Sequence, residues 1–193
     1  DPADRLKIAK TPTTPGDQSE GVVSAVAASG AALSEIAAFI HGTTTTTNAM
    51  IERKVATVGV ITTRGFRDIL ELGRRTRPAP YGMVGRFEPL ASREHRLEVA
   101  ERIDAQGAVL VPLDEDELRA QLRRLLAMGA QSLVIHFLHA YKNPAHEIRA
   151  GAIAAEIWPD ENITLGHAVL SEYREFERGV TAAVNAAVRP VLG

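Results

Sequence analysis

Three short apolar runs, each separated from the next by an amphipathic stretch, constrain this chain most. Residues 57–63, 132–138 and 163–170 are rich in Val, Ile and Leu and have the length of strands buried on both faces. Helical signals fall between them. Asp114 and Glu117 stand three apart as a capping box, and the helix behind them carries Leu118, Leu122, Leu125 and Leu126 on one stripe up to Gly129. Asn143-Pro144 places an N-cap before a proline at the first helical position, opening a helix that runs to about Trp158. Strands joined through helices pair in parallel with right-handed crossovers. The fold class is therefore α/β, with a three-stranded parallel lobe.

The remaining segments are read around that lobe. Aromatic residues are only 5%, so the core must be aliphatic. Asp17 and Glu20 form a first capping box, predicting a helix with Val22, Val23, Val26 and Ala27 on one face. Residues 36–40 suit a buried strand that ends at His41-Gly42, and a helix follows from Asn48 to about Arg53. Residues 66–72 read as a short helix with Phe66, Ile69 and Leu70 on one face, and residues 77–89 as an irregular loop rich in Pro and Gly. Residues 97–103 and 109–111 predict a hairpin laid over the surface. The last helix runs from about Glu172, with Tyr173, Phe176, Val180, Val184, Ala187 and Val188 on its buried side.

Composition closes off several functions. Lys+Arg 22 against Asp+Glu 24 gives a formal charge of -2, so no basic surface points to nucleic acid or anionic lipid. The absence of cysteine excludes a disulfide scaffold, a thiolate nucleophile and any Cys-ligated metal. No apolar run approaches the roughly 18 residues of a membrane helix. The chain starts at Asp1 with neither a Met nor a signal core, so it is expected to be cytoplasmic and a piece of a longer chain.

Four groups of residues could carry chemistry. His41-Gly42-Thr43-Thr44-Thr45-Thr46-Thr47-Asn48 offers hydroxyls and helix-start amides as a cradle for an anion or polar ligand, or else five threonines that cap a helix. Arg67 and Asp68 follow the end of the strand at 57–63, where open α/β sheets bind ligands; the alternative is a solvated face with an Arg67–Glu71 pair. His136, His139 and His146 invite a metal. Two residues three apart on a strand face opposite ways, so no metal site is expected, and His139 is read as a hydrogen-bonding loop residue near a cleft. Glu175 and Arg178 share a face of the last helix, and burial of that pair would mark a site.

The segments His41-Gly42-Thr43-Thr44, Thr47-Asn48-Ala49 and Glu52-Arg53-Lys54 resemble the hydantoinase A / 5-oxoprolinase family. So do Thr62-Thr63-Arg64-Gly65-Phe66-Arg67-Asp68-Ile69-Leu70-Glu71, Arg102-Ile103-Asp104-Ala105-Gln106-Gly107, the run from Phe137 to Glu147, and Glu172-Tyr173-Arg174-Glu175-Phe176-Glu177-Arg178. They occur in order from about Lys10 to Leu192. The resemblance implies part of an actin-like, ribonuclease-H-like ATPase: a partial lobe over 1–55, an α/β lobe over 56–170 and a helix returning to the core over 171–193.

It also implies an ATP-dependent cyclic-amide hydrolase subunit using ATP and Mg2+, with a second, hydantoinase B-like subunit or fused domain as partner. Alternatives are an ATP-dependent ketone (acetone or acetophenone) carboxylase subunit and a non-catalytic small-molecule-binding module. Matching positions place His41, Gly42, Thr43, Thr44 and Asn48 on the substrate and phosphate side of a cleft, with Arg67, Asp68, His139, Glu175 and Arg178 as wall residues. The chain departs from the family pattern at Val55, where glycine is usual, at Ala168, where an acid is usual, and at Ser171, where proline is usual. The family's Asp-Gly-Gly-Thr phosphate loop does not precede Lys10, and its long second half does not follow Gly193.

Overall fold

The computed structural model describes residues 7–14, 16–32, 34, 36–74 and 88–191. Most of the loop expected at 77–89 lies outside the described residues. The chain divides into two compact units, Asp1–Thr43 and Thr44–Gly193.

In the first unit, helix α1 spans Gln18–Ala28. Asp17 has extended backbone, and its Oδ1 accepts a hydrogen bond from the Ser19 amide at 2.8 Å, which supplies one of the partners a helix start lacks. None of its residues is buried. The strand expected at 36–40 does not form, and Phe39 and Ile40 are exposed, Ile40 by 95%. A short apolar run becomes a strand only where a neighbour accepts its backbone hydrogen bonds, and no strand pairs with this one. His41 and Gly42 therefore do not end a buried strand.

In the second unit, α2 (Thr45–Ile51) precedes strand β1 (Val58–Thr63), and the short α3 (Ile69–Leu72) follows it. Strands β2 (Arg96–Val99), β3 (Arg102–Ile103) and β4 (Val109–Val111) come next, then α4 (Glu115–Ala127) and β5 (Ser132–His136). Helix α5 (Ala145–Ala155), β6 (Ile163–Leu165), α6 (Gly166–Val169) and α7 (Glu175–Val188) complete the unit.

Four strands form one sheet in the order β2-β1-β5-β6. All pairs are parallel: Val60 lies opposite Arg96 and Val134, and Leu133 opposite Ile163. The parallel pairing expected of the runs at 58, 133 and 163 is thus present.

The sheet has one strand more than expected. Residues 96–99 leave the predicted hairpin and pair with the free edge of β1, burying Leu97 and Val99. The antiparallel hairpin that remains is β3 against β4, turned by Asp104, whose Oδ1 accepts from the amides of Gln106 and Ala108. Strands β5 and β6 stop short of the predicted ends, and α7 begins at Glu175 rather than Glu172. Tyr173, expected on the buried side, is 61% exposed because it precedes the helix.

The two faces of the sheet are packed differently. On one, Leu118, Leu122 and Leu125 of α4 and Ile153 of α5 meet Ile61, Leu133 and Ile135, with Trp158 alongside. Burying each such aliphatic side chain stabilises by about 1.5–3 kcal/mol. On the other, Ala182, Ala186 and Ala187 of α7 meet Val58, Val60 and Val134. Small residues bring α7 close, and a Cβ on Gly179 would lie 2.7 Å from Leu70 Cδ2. The capping box at α4 is half formed. Asp114 Oδ1 accepts from the Glu117 amide at 2.9 Å, but the Glu117 carboxylate accepts from the Ala100 amide at 2.7 Å instead of returning to Asp114. Among the described residues no helix is long and apolar enough to cross a membrane.

Candidate functional site

Parallel strands send their carboxyl ends to one side of a sheet, where side chains from several elements converge. Here β5 stops at His136, and the next three amides leave the sheet ladder. Each donates to a side chain: Phe137 N to Glu147 Oε1 at 2.8 Å, Leu138 N to Thr63 Oγ1 at 2.9 Å, and His139 N to Glu175 Oε1 at 3.1 Å. The acceptors come from α5, β1 and α7. Buried amides need partners, so this exit is fixed by polar side chains where a longer strand would have used its neighbours.

Arg178, on the second turn of α7, is fully buried. Its Nη2 donates to the Phe137 carbonyl at 3.0 Å, its Nη1 donates to the Glu172 carbonyl at 2.7 Å, and it pairs with the Glu175 carboxylate. The guanidinium also lies 5.6 Å from the centre of the Tyr141 ring. Spacing left the burial of this pair open; in the structure Arg178 is buried and Glu175 nearly so. Burial pushes the pKa of Glu175 up, against the pull of Arg178.

Histidines complete the cluster. His146 Nδ1 lies 2.7 Å from Glu101 Oε2, and Thr63 donates to the other oxygen of that carboxylate. Glu147 Oε2 accepts from His167 N at 2.8 Å and lies 2.6 Å from His167 Nδ1. His136 is buried, with Nε2 3.7 Å from Glu175 Oε2, and burial together with nearby Arg178 lowers its pKa to about 4. A neutral imidazole is the stable form there. His139 is half-buried and its pKa is also lowered, first by desolvation, then by Arg102 and Arg178. The Nδ1 atoms of His136 and His139 and Arg178 Nε are buried without a partner.

The other sequence candidates have partners of their own. Asp68 accepts from Arg93 Nε and Nη2 at 2.9 and 3.1 Å, which lowers its pKa. Arg67 donates to the Arg93 carbonyl at 2.8 Å, while Glu71 binds Arg96 at 2.6 Å. The Arg67–Glu71 pair weighed from spacing does not form, because a buried arginine on β2 takes the acid. Thr44 precedes α2 without a side-chain cap bond, and Asn48 Nδ2 donates to Thr44 Oγ1 at 3.4 Å. His41, Gly42 and Thr43 belong to the first unit, where the His41 ring stacks on Phe39 and Thr43 donates to Gln18 at 3.3 Å.

Sequence reasoning missed Thr63, Glu101, Glu147 and His167. Thr62 and Thr63 close a run that is apolar from Val58 to Ile61, and Glu147 follows His146 on a helix with buried neighbours; both were visible signals of buried acceptors. Glu101 and His167 had none. Among the described residues no group of three or more His, Cys, Asp or Glu could hold a metal ion. Glu101 and Glu147 are buried, and protein donors already occupy each carboxylate.

A parallel α/β unit with a polar cluster at the strand ends is the class the fold defines. The chain belongs to the hydantoinase/oxoprolinase family: the model of that family's N-terminal region matches residues 1–158. It is 34% identical to the acetophenone carboxylase gamma subunit of Aromatoleum aromaticum, covering 93% of this chain and 28% of that one. The crystal structure of the ATP-dependent caprolactamase from Pseudomonas jessenii superposes with a TM-score of 0.78 at 31% identity, covering 98% of this chain and 29% of the other. Nucleotide-free acetone carboxylase, from work on ATP-dependent acetone carboxylation, superposes with a TM-score of 0.81 at 26% identity, covering 94% and 29%. The chain spans less than a third of the length of the curated relatives it matches.

Proposed function

We propose that this chain is the amino-terminal segment of an ATP-dependent subunit that opens cyclic amides. The observation that carries the reading is its likeness to the ATP-dependent caprolactamase over 98% of its length. The chemistry is coherent. A ring amide is a poor electrophile; transfer of a phosphoryl group from ATP to its oxygen releases ADP and activates the carbon. One water then adds to that carbon and the ring C–N bond breaks, giving the amine and an acyl phosphate; a second water hydrolyses the acyl phosphate to the carboxylate and inorganic phosphate. The strand-end cluster contributes His139, Glu175 and Arg178 as walls of the cleft, and the family motif adds His41, Gly42, Thr43, Thr44, Asn48, Arg67 and Asp68.

ATP and Mg2+ belong to the proposal for the whole subunit. Protein groups already engage both oxygens of each buried carboxylate described above, so these residues do not fit a magnesium ion, and no step is derived through it. The actin-like division into 1–55, 56–170 and 171–193, a second subunit and a cytoplasmic site of action belong to the same proposal.

A ketone carboxylase subunit is the second reading, supported by the TM-score of 0.81 to acetone carboxylase. The test is ATP hydrolysis by the full-length subunit with its partner. Hydrolysis stimulated about tenfold or more by 5-oxoproline, a hydantoin or caprolactam, with ring-opened product equal to phosphate released, supports the amide reading. Stimulation only by acetone or acetophenone with bicarbonate replaces it with the carboxylase. Binding without turnover leaves the non-catalytic module.

A further inference from the structure

The turn at His139 combines several constraints on one residue. Its φ is +57°, a conformation uncommon for any residue but glycine. Residues held this way persist where their surroundings over-determine them, and they concentrate at functional sites. The surroundings do so here. The His139 amide donates to Glu175, and its carbonyl accepts from Lys142 N at 2.9 Å and Asn143 N at 3.1 Å. Two residues earlier, Arg178 grips the Phe137 carbonyl. The imidazole stands edge-on to Tyr141 with ring centres 6.0 Å apart, and its Nδ1 is buried without a partner.

We propose that Glu175 and Arg178 are positioning residues that hold the left-handed turn at His139 and thereby aim its imidazole at the ligand of the strand-end cleft. The inference rests on the cleft reading above and changes the role of two of its residues: they act through His139. The ligand group facing His139 is a polar oxygen, such as a carbonyl or phosphoryl oxygen, which an imidazole N–H can bind. Tyr141 stands beside the ring, and desolvation with the charges of Arg102 and Arg178 favours its neutral form against the opposing pull of Asp104 and Glu101.

Two measurements test this. In the 193-residue chain, NMR follows the His139 ring through a pH titration and the exchange of its amide. Glu175→Gln and Arg178→Lys are expected to shift the titration toward that of an exposed histidine and to speed amide exchange at residue 139. Unchanged titration and exchange in both variants would overturn the proposal. In the full-length subunit, with whichever substrate is turned over, Arg178→Lys is expected to lower kcat about 10- to 100-fold with little change in KM. His139→Asn, which tolerates the left-handed turn, should lose at least as much, and the double variant no more than His139→Asn alone. Losses that multiply show Arg178 acting independently of His139 and reject the proposal. Absence of turnover with every substrate counts against the cleft reading, while the NMR result still decides the positioning role.

Discussion

Two arginine–carboxylate clusters use residues from the segments that follow adjacent strands, and burial separates them. After β1, Asp68 forms a two-toothed pair with Arg93, the side chains 42% and 55% exposed. Beyond β5, Arg178 is fully buried and its partner Glu175 nearly so, at 0% and 13%. The outer pair exchanges water contacts for each other at little net gain. The inner pair has no water to return to, so each partner depends on the other. The same residue types therefore make a solvated surface in one place and a rigid support in the other.

The largest effect expected from this contrast follows removal of the inner cation. Arg178→Met leaves Glu175 buried without its charge partner and the Phe137 carbonyl with only the Ala140 amide, at 3.4 Å, as donor. Breaking such a pair costs about 3–5 kcal/mol. Urea unfolding of the chain would measure it. A loss comparable to that of a surface substitution would mean that water reaches Glu175 and that the two clusters do not differ in kind.

The contrast also has a pH signature. His136 beside the inner pair has its pKa lowered to about 4 from 6.5, so the unfolded chain takes up this proton at higher pH than the folded one. Stability from this group is full above pH 6.5 and falls as the pH drops toward 4, by about 3 kcal/mol in all. Glu175, with its pKa raised by burial, works in the opposite sense as the pH falls toward its unfolded value of 4.5. Asp68 in the outer cluster has its pKa lowered below 3.8, so its contribution is kept until the pH falls below that value. Melting temperature against pH for the native chain and for His136→Gln separates the windows. The variant is expected to flatten the fall between pH 6.5 and about 4 and to leave the limb below it unchanged; an identical curve would mean that His136 is not held neutral.

These differences explain what could be read in advance. The apolar runs at 58, 133 and 163 and the leucine stripe of α4 carry their own periodicity, so the parallel sheet and its main packing face were legible. Residues 96–99 were not, because alternation alone does not distinguish a hairpin arm from an edge strand that pairs with β1. The run at 36–40 had the composition of a buried strand but no partner. In the site, Glu175 and Arg178 announced themselves by sharing a helix face, whereas Glu101 and His167 meet their partners from residues 45 and 20 positions away. Spacing carries no record of such encounters.

The smallest effect belongs to the outer cluster, and it sharpens the comparison most. Asp68→Asn keeps the shape of the side chain and one acceptor oxygen while removing its charge from Arg93. If exposure governs the value of these pairs, the melting temperature should move by about 2 °C or less, and salt should diminish even that. The response of the inner pair should be nearly independent of salt, since no solvent separates its charges. A shift from Asp68→Asn as large as that from Arg178→Met would require another source for its strength. The structure offers one: buried Arg96 lies 3.9 Å from Asp68 and 2.6 Å from Glu71. Glu71→Gln alongside Asp68→Asn would then reveal whether Arg96 joins the two carboxylates into one unit. Independent small losses keep the outer cluster a surface, and a loss in the double variant much greater than their sum would make Arg96 the outer counterpart of Arg178.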